Sequence, residues 1–189
     1  PSWSPDGNMI VTASGDCNTV PQRLTVFDVA NGNQRNIFES SSALDPDWGN
    51  DGRIYFAQGD KGGGARIFVI DPQNQTVTDL NRDGREPTLS PDRSYLAYMR
   101  QTNSVWRVYV ARVFGNGLGG ECEMSLPAAP GGMYARMPNW VVDSLHRQRV
   151  VFNITDANSV SVALGSGDPT TCSTETLSLA GTSVALARP

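Results

Sequence analysis

The hydrophobic positions of the chain fall into short runs separated by turn residues. Four runs are rich in β-branched and aromatic residues, at 9–13, 53–57, 95–99 and 149–153. A second run follows each of them, at 24–29, 66–70, 106–113 and 160–164, and a third, weaker one stands at 34–38, 76–80 and 175–179. Runs of this length and composition are typical of β-strands and too short for most helices. The pattern therefore predicts an all-β chain of short strands.

A signature precedes each set of strands. It reads P-S-W-S-P-D-G from Pro1, P-D-W-G-N-D-G from Pro46, P-T-L-S-P-D-R from Pro87 and P-N-W-V-V-D-S from Pro138. A repeat of about 45 residues with four short strands indicates propeller blades. The sequence thus predicts a β-propeller with four blades of four-stranded antiparallel sheet, at about 1–45, 46–86, 87–137 and 138–189.

Each signature predicts two structural roles. The large apolar residue two places after the first proline should be a knob that packs one blade on the next. Pro, Asp and Gly are turn-forming residues, so the aspartates should shape turns and not act as catalytic acids. The knobs are Trp3, Trp48, Leu89 and Trp140, and the turn aspartates are Asp6, Asp51, Asp92 and Asp143.

The repeated signature, followed by a β run and a hairpin, resembles the TolB-type, WD-like β-propeller repeat. The resemblance covers all four repeats and is weakest in the fourth, where V-V-D-S replaces S-P-D-G. It is specific for fold and carries over no ligand residue. Members of this family include periplasmic proteins that bind partner proteins, sensor domains, and propellers that cap prolyl-oligopeptidase-type hydrolases.

The resemblance implies a propeller of a kind that commonly has six blades. Four repeats therefore leave three alternatives open. The chain could close into a four-bladed ring with residues 183–189 completing the first blade. It could pair with a second copy to make eight blades, or it could be part of a larger propeller. An open arc would expose sheet faces and strand edges, which favour self-association.

Charge and cysteine content narrow the classes of partner and compartment. The net charge is −4, which argues against nucleic acid, and no apolar run is long enough to span a membrane. Cys122 and Cys172 occupy similar places in repeats three and four. A disulfide between them would suit an extracytoplasmic protein, periplasmic, secreted or at the cell surface; the alternative is a pair of free thiols.

The sequence predicts neither catalysis nor a cofactor or metal. The stretch 115–120 fits G-x-G-x-x-G, but the residues after it do not favour the helix that a dinucleotide site needs, so we interpret it as a long glycine loop. His146 is the only histidine, there is no G-x-S-x-G nucleophile motif, and no cysteine pair has zinc-site spacing. We therefore do not expect an enzyme.

Charged residues stand just before each signature, where the chain enters the innermost strand of a blade. They are Asp45, Arg85, Glu86, Arg136 and Arg188. Such residues from several blades should converge at one mouth of the central channel, and we call them the channel-mouth cluster. Convergent polar groups in a concave site favour binding; the alternative is that they only form ion pairs with one another.

Three functions follow from this interpretation. The first is a non-catalytic binding or scaffold module that recognises a protein, peptide or glycan. The second is the gating propeller of a prolyl-oligopeptidase-like hydrolase whose catalytic domain lies outside this chain. The third is a structural half-propeller that assembles with other copies.

Overall fold

A computed structural model of the chain describes residues 1–14, 22–40, 42–59, 64–124, 134–155 and 161–177. The described residues form sixteen strands and no helix, so none of them forms a helix that could cross a membrane. The strands make four antiparallel sheets of four strands each, and every sheet keeps its strands in chain order. We number these sheets as blades 1 to 4.

The strands of blades 1 and 2 are β1 (Ser2–Trp3), β2 (Met9–Ser14), β3 (Gln22–Asp28), β4 (Gln34–Ser40), β5 (Ala43–Trp48), β6 (Ile54–Gln58), β7 (Arg66–Ile70) and β8 (Val77–Asp83). Those of blades 3 and 4 are β9 (Arg85–Leu89), β10 (Tyr95–Thr102), β11 (Val105–Phe114), β12 (Gly117–Glu123), β13 (Tyr134–Val142), β14 (Gln148–Thr155), β15 (Ser161–Gly167) and β16 (Thr174–Leu177). The first strands of successive blades lie against each other, β1 on β5, β5 on β9 and β9 on β13. This is the arrangement of propeller blades around a channel, and it confirms the predicted fold class.

The hydrophobic core lies between the blades, in three seams. The first seam joins Val11 and Val26 of blade 1 to Phe56 of blade 2, and the other two repeat this arrangement one blade further on. Each seam contains the knob of its second blade. The knobs Trp48, Leu89 and Trp140 are 6%, 7% and 4% exposed.

Trp3 differs from the other three knobs. It pairs with Ile10 as Trp48 pairs with Ile54, yet it is 53% exposed. The reason is that a knob packs on the blade before it, and the described chain places no blade before blade 1 in contact with Trp3.

The glycine-rich stretch of blade 3 was predicted as a loop, and that prediction is wrong for its second half. Gly117 begins β12 and pairs with Phe114 across a two-residue turn, in which Gly115 has a φ of 54°. A Cβ on Gly119 would lie 2.4 Å from Cε2 of Phe114. Glycine is therefore present in this strand because an aromatic ring lies over the backbone.

A disulfide joins Cys122 of β12 to Cys172 in the turn between β15 and β16, with Cα atoms 6.2 Å apart. It therefore links blade 3 to blade 4. Cys172 has a φ of 56°, and Gly32 has a φ of 71° in the equivalent turn of blade 1. Gln75 has a φ of 60° in the equivalent turn of blade 2, so this turn also accepts residues other than glycine.

Candidate functional site at the channel mouth

The signature aspartates bond to the turns in which they stand. The Oδ1 atoms of Asp6, Asp51, Asp92 and Asp143 each accept a hydrogen bond from the backbone N–H two residues on, at 2.9–3.1 Å. A hydrogen bond from the Ser4 hydroxyl lowers the pKa of Asp6 below its usual value. His146 lies in the fourth of these turns, where its N–H donates to the carbonyl of Asp143 at 2.9 Å.

A second set of turn aspartates was missed by the sequence analysis. Asp28 is the last residue of β3, and Asp71 and Asp168 directly follow β7 and β15. Each accepts a hydrogen bond from the backbone N–H two residues on. The available signal was an aspartate within, or up to four residues after, three of the four second runs. These residues shape the outer hairpins and lie away from the channel.

Three first strands carry a β-bulge directly before the proline of the signature. The bulge residues Asp45, Glu86 and Met137 have φ values of 51°, 50° and 55°, and strand register shifts at the same places. Positive φ is unfavourable for these residue types, and a bulge re-aims the side chains around it. Strained residues of this kind concentrate at functional sites. Met137 is exposed, and the sequence analysis did not single it out.

Neighbouring bulges are joined across the blades. Nε of Arg85 donates to Oδ2 of Asp45 at 3.2 Å, which links blade 3 to blade 2. The backbone N–H of Met137 donates to Oε2 of Glu86 at 3.0 Å, which links blade 4 to blade 3. The structure therefore brings the predicted residues of blades 2 to 4 into one continuous set; Arg188 lies outside the described residues.

Arg136 is bonded differently from Arg85. Its guanidinium carbon lies 5.5 Å from the centre of the Tyr134 ring, a cation–π contact. Its Nε is buried and has no hydrogen-bond acceptor among the described residues. An ion pair within the channel-mouth cluster therefore satisfies Arg85. The Nε–H of Arg136 has no such acceptor among the described residues.

The Glu86 carboxyl has a raised pKa in the folded chain. Burial raises its pKa above the usual 4.5, and the negative charge of Asp45 raises it further. The hydrogen bond from Met137 and the charges of Arg85 and Arg136 oppose this rise without cancelling it. Glu86 therefore responds to pH at a less acidic value than a solvated glutamate does.

A polar cavity of about 50 Å³ lies further along the same strands. Asp47, Thr88 and Asn139 line it, and each stands directly before the knob of its blade. These residues are not among the site candidates predicted from the sequence. The available signal was the residue after the first proline of each signature, which is polar in all four repeats.

Comparison with known proteins identifies the fold and leaves the activity open. No family model and no curated protein matches the sequence. Among solved structures, TolB from Acinetobacter baumannii is similar, with a TM-score of 0.70 and 18% identity over 94% of this chain and 42% of that one. The present chain thus spans less than half of that protein's length.

Two further structures come from hydrolytic proteins. A puromycin hydrolase has a TM-score of 0.66 and 16% identity over 93% of this chain and 28% of that one. The β-propeller domain of the Trilobed protease from Pyrococcus furiosus, described as having an open velcro topology, has a TM-score of 0.56 and 15% identity over 94% of this chain and 55% of that one. These identities are low, and the shared feature is the fold. The chain therefore has a TolB-like β-propeller fold.

Proposed function

We propose that the chain is a non-catalytic binding module that recognises a protein, peptide or glycan partner at the channel mouth. The observation that carries this proposal is the buried Nε–H of Arg136, which has no acceptor among the described residues. A buried donor without an acceptor is unfavourable by about 1–3 kcal/mol. Arg136 as a whole is partly exposed, so a partner recovers that free energy when the guanidinium turns outward and its Nε–H meets an acceptor on the partner.

The chemistry of the cluster favours a segment that carries a carboxylate. A guanidinium binds a carboxylate through two parallel hydrogen bonds. Arg85 already uses one donor on Asp45, which leaves Arg136 as the principal contact. Because the chain as a whole carries a charge of −4, attraction of an acidic segment must come from local groups and not from the net charge.

An affinity measurement with charged probe peptides tests this proposal. Acetyl-hexaglutamate amide should bind the native chain more tightly than acetyl-hexalysine amide. A charge-assisted hydrogen bond contributes about 1.5–3 kcal/mol, so Arg136→Ala should weaken hexaglutamate binding roughly tenfold or more. Arg85→Ala should weaken it less, because it also frees the carboxylate of Asp45.

The matched control is Arg112→Ala. Arg112 is exposed on β11 and lies 5.4 Å from the ring of Phe114, away from the bulges. Arg112→Ala removes the same positive charge from the chain as Arg136→Ala does. Equal weakening by both substitutions would mean that only net charge matters, and unchanged binding in Arg136→Ala would remove Arg136 from the site.

A second candidate is a gating propeller of a hydrolase. The likeness to a puromycin hydrolase, of which the chain matches 28%, supports it. Its test is the coding sequence around the chain, where this function requires an α/β domain with a G-x-S-x-G nucleophile motif. Uninterrupted coding sequence without such a domain would exclude it.

We also propose that the protein functions outside the cytoplasm. The Cys122–Cys172 disulfide supports this location, because disulfides persist in oxidising compartments and are rare in cytosolic proteins. Alkylation of free thiols in intact cells, followed by mass analysis, tests it. The pair should resist alkylation until a reductant is added; labelling of both cysteines without reductant would contradict the proposal.

A further inference from the structure

Polar side chains from three successive blades meet in the cavity of about 50 Å³. They are Asp47, Thr88 and Asn139, and we call the space between them the Asp47 cavity. Asp47 and Thr88 are each only 5% exposed, so the fold holds a carboxylate and a hydroxyl away from bulk water at this point. Asn50 also lines the cavity and is exposed, which places an opening to solvent beside it.

Asp47 supplies hydrogen-bond acceptors to this cavity. Its Oδ1 accepts from the hydroxyl of Ser2 at 3.0 Å, and its Oδ2 accepts from the N–H of Leu89 at 3.3 Å. A carboxylate has about four acceptor positions, so these hydrogen bonds do not exhaust its capacity. A group in the cavity that carries a donor can therefore bond to Asp47.

Asn139 and Thr88 supply donors. Oδ1 of Asn139 accepts from the backbone N–H of Trp140 at 2.8 Å, which identifies the oxygen end of the carboxamide. The NH₂ end of Asn139 has no acceptor among the described residues. The Thr88 hydroxyl, which can donate and accept, has no hydrogen-bond partner in the described part of the chain either.

These donors and acceptors select the chemical class of the occupant. It must donate to Asp47 and accept from Asn139. An ammonium group only donates, and a carboxylate only accepts and is repelled by the charge of Asp47. A hydroxyl group does both, and a second hydroxyl beside it reaches the remaining partner, Thr88.

The size of the Asp47 cavity fits a pair of hydroxyl groups. One water molecule needs about 10–15 Å³ of such space, so the cavity holds about three or four water-sized groups. Two neighbouring carbon–hydroxyl units are of about this size, whereas a whole sugar ring is larger. A sugar would therefore enter by one edge, past Asn50.

We propose that the Asp47 cavity binds two neighbouring hydroxyl groups of a sugar or another polyol. Asp47 accepts from one hydroxyl, the NH₂ group of Asn139 donates to the other, and Thr88 bonds to either. None of these residues belongs to the channel-mouth cluster, so the proposal does not rest on the partner proposed for that site.

NMR shifts during titration with glycerol test this proposal. Glycerol should give saturable shifts at the Asn139 carboxamide and at the N–H of Leu89. Ethylammonium, acetate and acetamide are of similar size and should give no saturable shift there. Methyl α-mannoside distinguishes the two sources of a diol: saturable shifts with it assign the cavity to sugars, and shifts with glycerol alone assign it to small polyols.

Two variants of nearly unchanged shape test the contacts. Thr88→Val removes the hydroxyl, and Asn139→Asp removes the NH₂ donor and keeps an oxygen for the N–H of Trp140. Because each loses one hydrogen bond, glycerol binding should weaken about two- to tenfold. Thr155→Val, at another buried threonine, and Asn153→Asp, which adds the same charge to blade 4, are the controls and should bind glycerol as the native chain does.

A native chain without saturable glycerol shifts would mean that the Asp47 cavity takes up water only, and this would overturn the proposal. Equal shifts with ethylammonium, acetate or acetamide would overturn it as well, because the cavity would then not select hydroxyl groups. So would glycerol affinities of Thr88→Val and Asn139→Asp that equal those of their controls.

Discussion

Ser2 and Asp47 are hydrogen-bonded across the first seam, with Oγ of Ser2 donating to Oδ1 of Asp47 at 3.0 Å. Oγ of Ser2 in turn accepts from the N–H of Trp48 at 3.0 Å, and Oδ2 of Asp47 accepts from the N–H of Leu89 at 3.3 Å. Ser2 and Asp47 each stand directly before a knob. Each therefore accepts a hydrogen bond from the backbone N–H of the knob in the next blade. Through these bonds Asp47 connects blades 1, 2 and 3.

Replacing Asp47 should destabilise the fold. Asp47→Ala leaves the donors of Ser2 and Leu89 buried without this acceptor, and we expect a loss of about 1–3 kcal/mol in the free energy of unfolding. Asp47→Asn keeps one oxygen acceptor and should lose less. Denaturant unfolding measures both effects.

Asp79 provides the control for Asp47. It forms an exposed ion pair with Arg66 at 3.0 Å, and such pairs contribute about 0–1 kcal/mol. If Asp79→Ala destabilised the chain as much as Asp47→Ala does, the connection between blades would not be the cause.

The knobs should be needed for stability wherever a blade covers them. Trp140 is buried in the third seam, and its Nε1 donates to the carbonyl of Thr88 at 3.0 Å. Trp140→Ala should reduce the free energy of unfolding by about 3–5 kcal/mol. Leu145→Ala, an exposed apolar truncation in the same blade, should change it by less than about 0.5 kcal/mol. Thermal or denaturant unfolding of the two variants decides whether blade 4 depends on its knob.

The disulfide should stabilise the junction of blades 3 and 4. Its cysteines are 50 residues apart, and closing a loop of that size in the unfolded chain corresponds to about 4 kcal/mol at 25 °C. The double variant Cys122→Ala and Cys172→Ala should approach that loss. A reductant should destabilise the native chain and leave the double variant unchanged; equal sensitivity of both would contradict a structural role.

Glu86 should make stability fall as pH rises. Its pKa is raised in the folded chain, so the folded state binds the proton more tightly than the unfolded state does. The contribution of Glu86 is full below its usual pKa of 4.5 and is lost as pH rises through the folded pKa. Glu86→Gln should therefore be more stable than the native chain at pH 7, and this difference should vanish below pH 4.5.

Asp6 should show the opposite dependence. Its pKa is lowered in the folded chain, so its contribution is present above 3.8 and is lost as pH falls. Asp6→Asn should therefore lose stability relative to the native chain as pH rises. The free energy of unfolding of the native chain, Glu86→Gln and Asp6→Asn, measured between pH 3 and pH 8, shows the direction of both pH dependences. A Glu86→Gln profile parallel to the native one would contradict the burial of this carboxyl.

The sequence predicted the strands and the blades because both depend on local patterns. It did not predict the exposure of Trp3, since the same signature position is buried or exposed according to which blade precedes it. It also misinterpreted the glycines of β12, because glycine weakens a strand and only the ring of Phe114 over Gly119 explains its presence.

The candidate site could be predicted in part. The residues before each signature were identifiable as a convergent set, because a propeller brings its first strands together. Sequence could not distinguish Arg85, which pairs with Asp45, from Arg136, which lies over the Tyr134 ring and has a donor without an acceptor in the described part of the chain. That difference depends on side-chain geometry across two blades. Asp47 and Asn139 were detectable as recurring polar residues and were overlooked.

The most direct test of the channel-mouth site is the NMR signal of the Arg136 Nε–H during titration with acetyl-hexaglutamate amide. As the peptide binds and the guanidinium turns towards it, this resonance should shift downfield, because the group gains an acceptor that the described residues do not supply, while the Nε–H of Arg112 stays constant. If the Arg136 signal does not change while the peptide binds, or the shifts centre on Asp47 and Asn139, the proposed site is wrong.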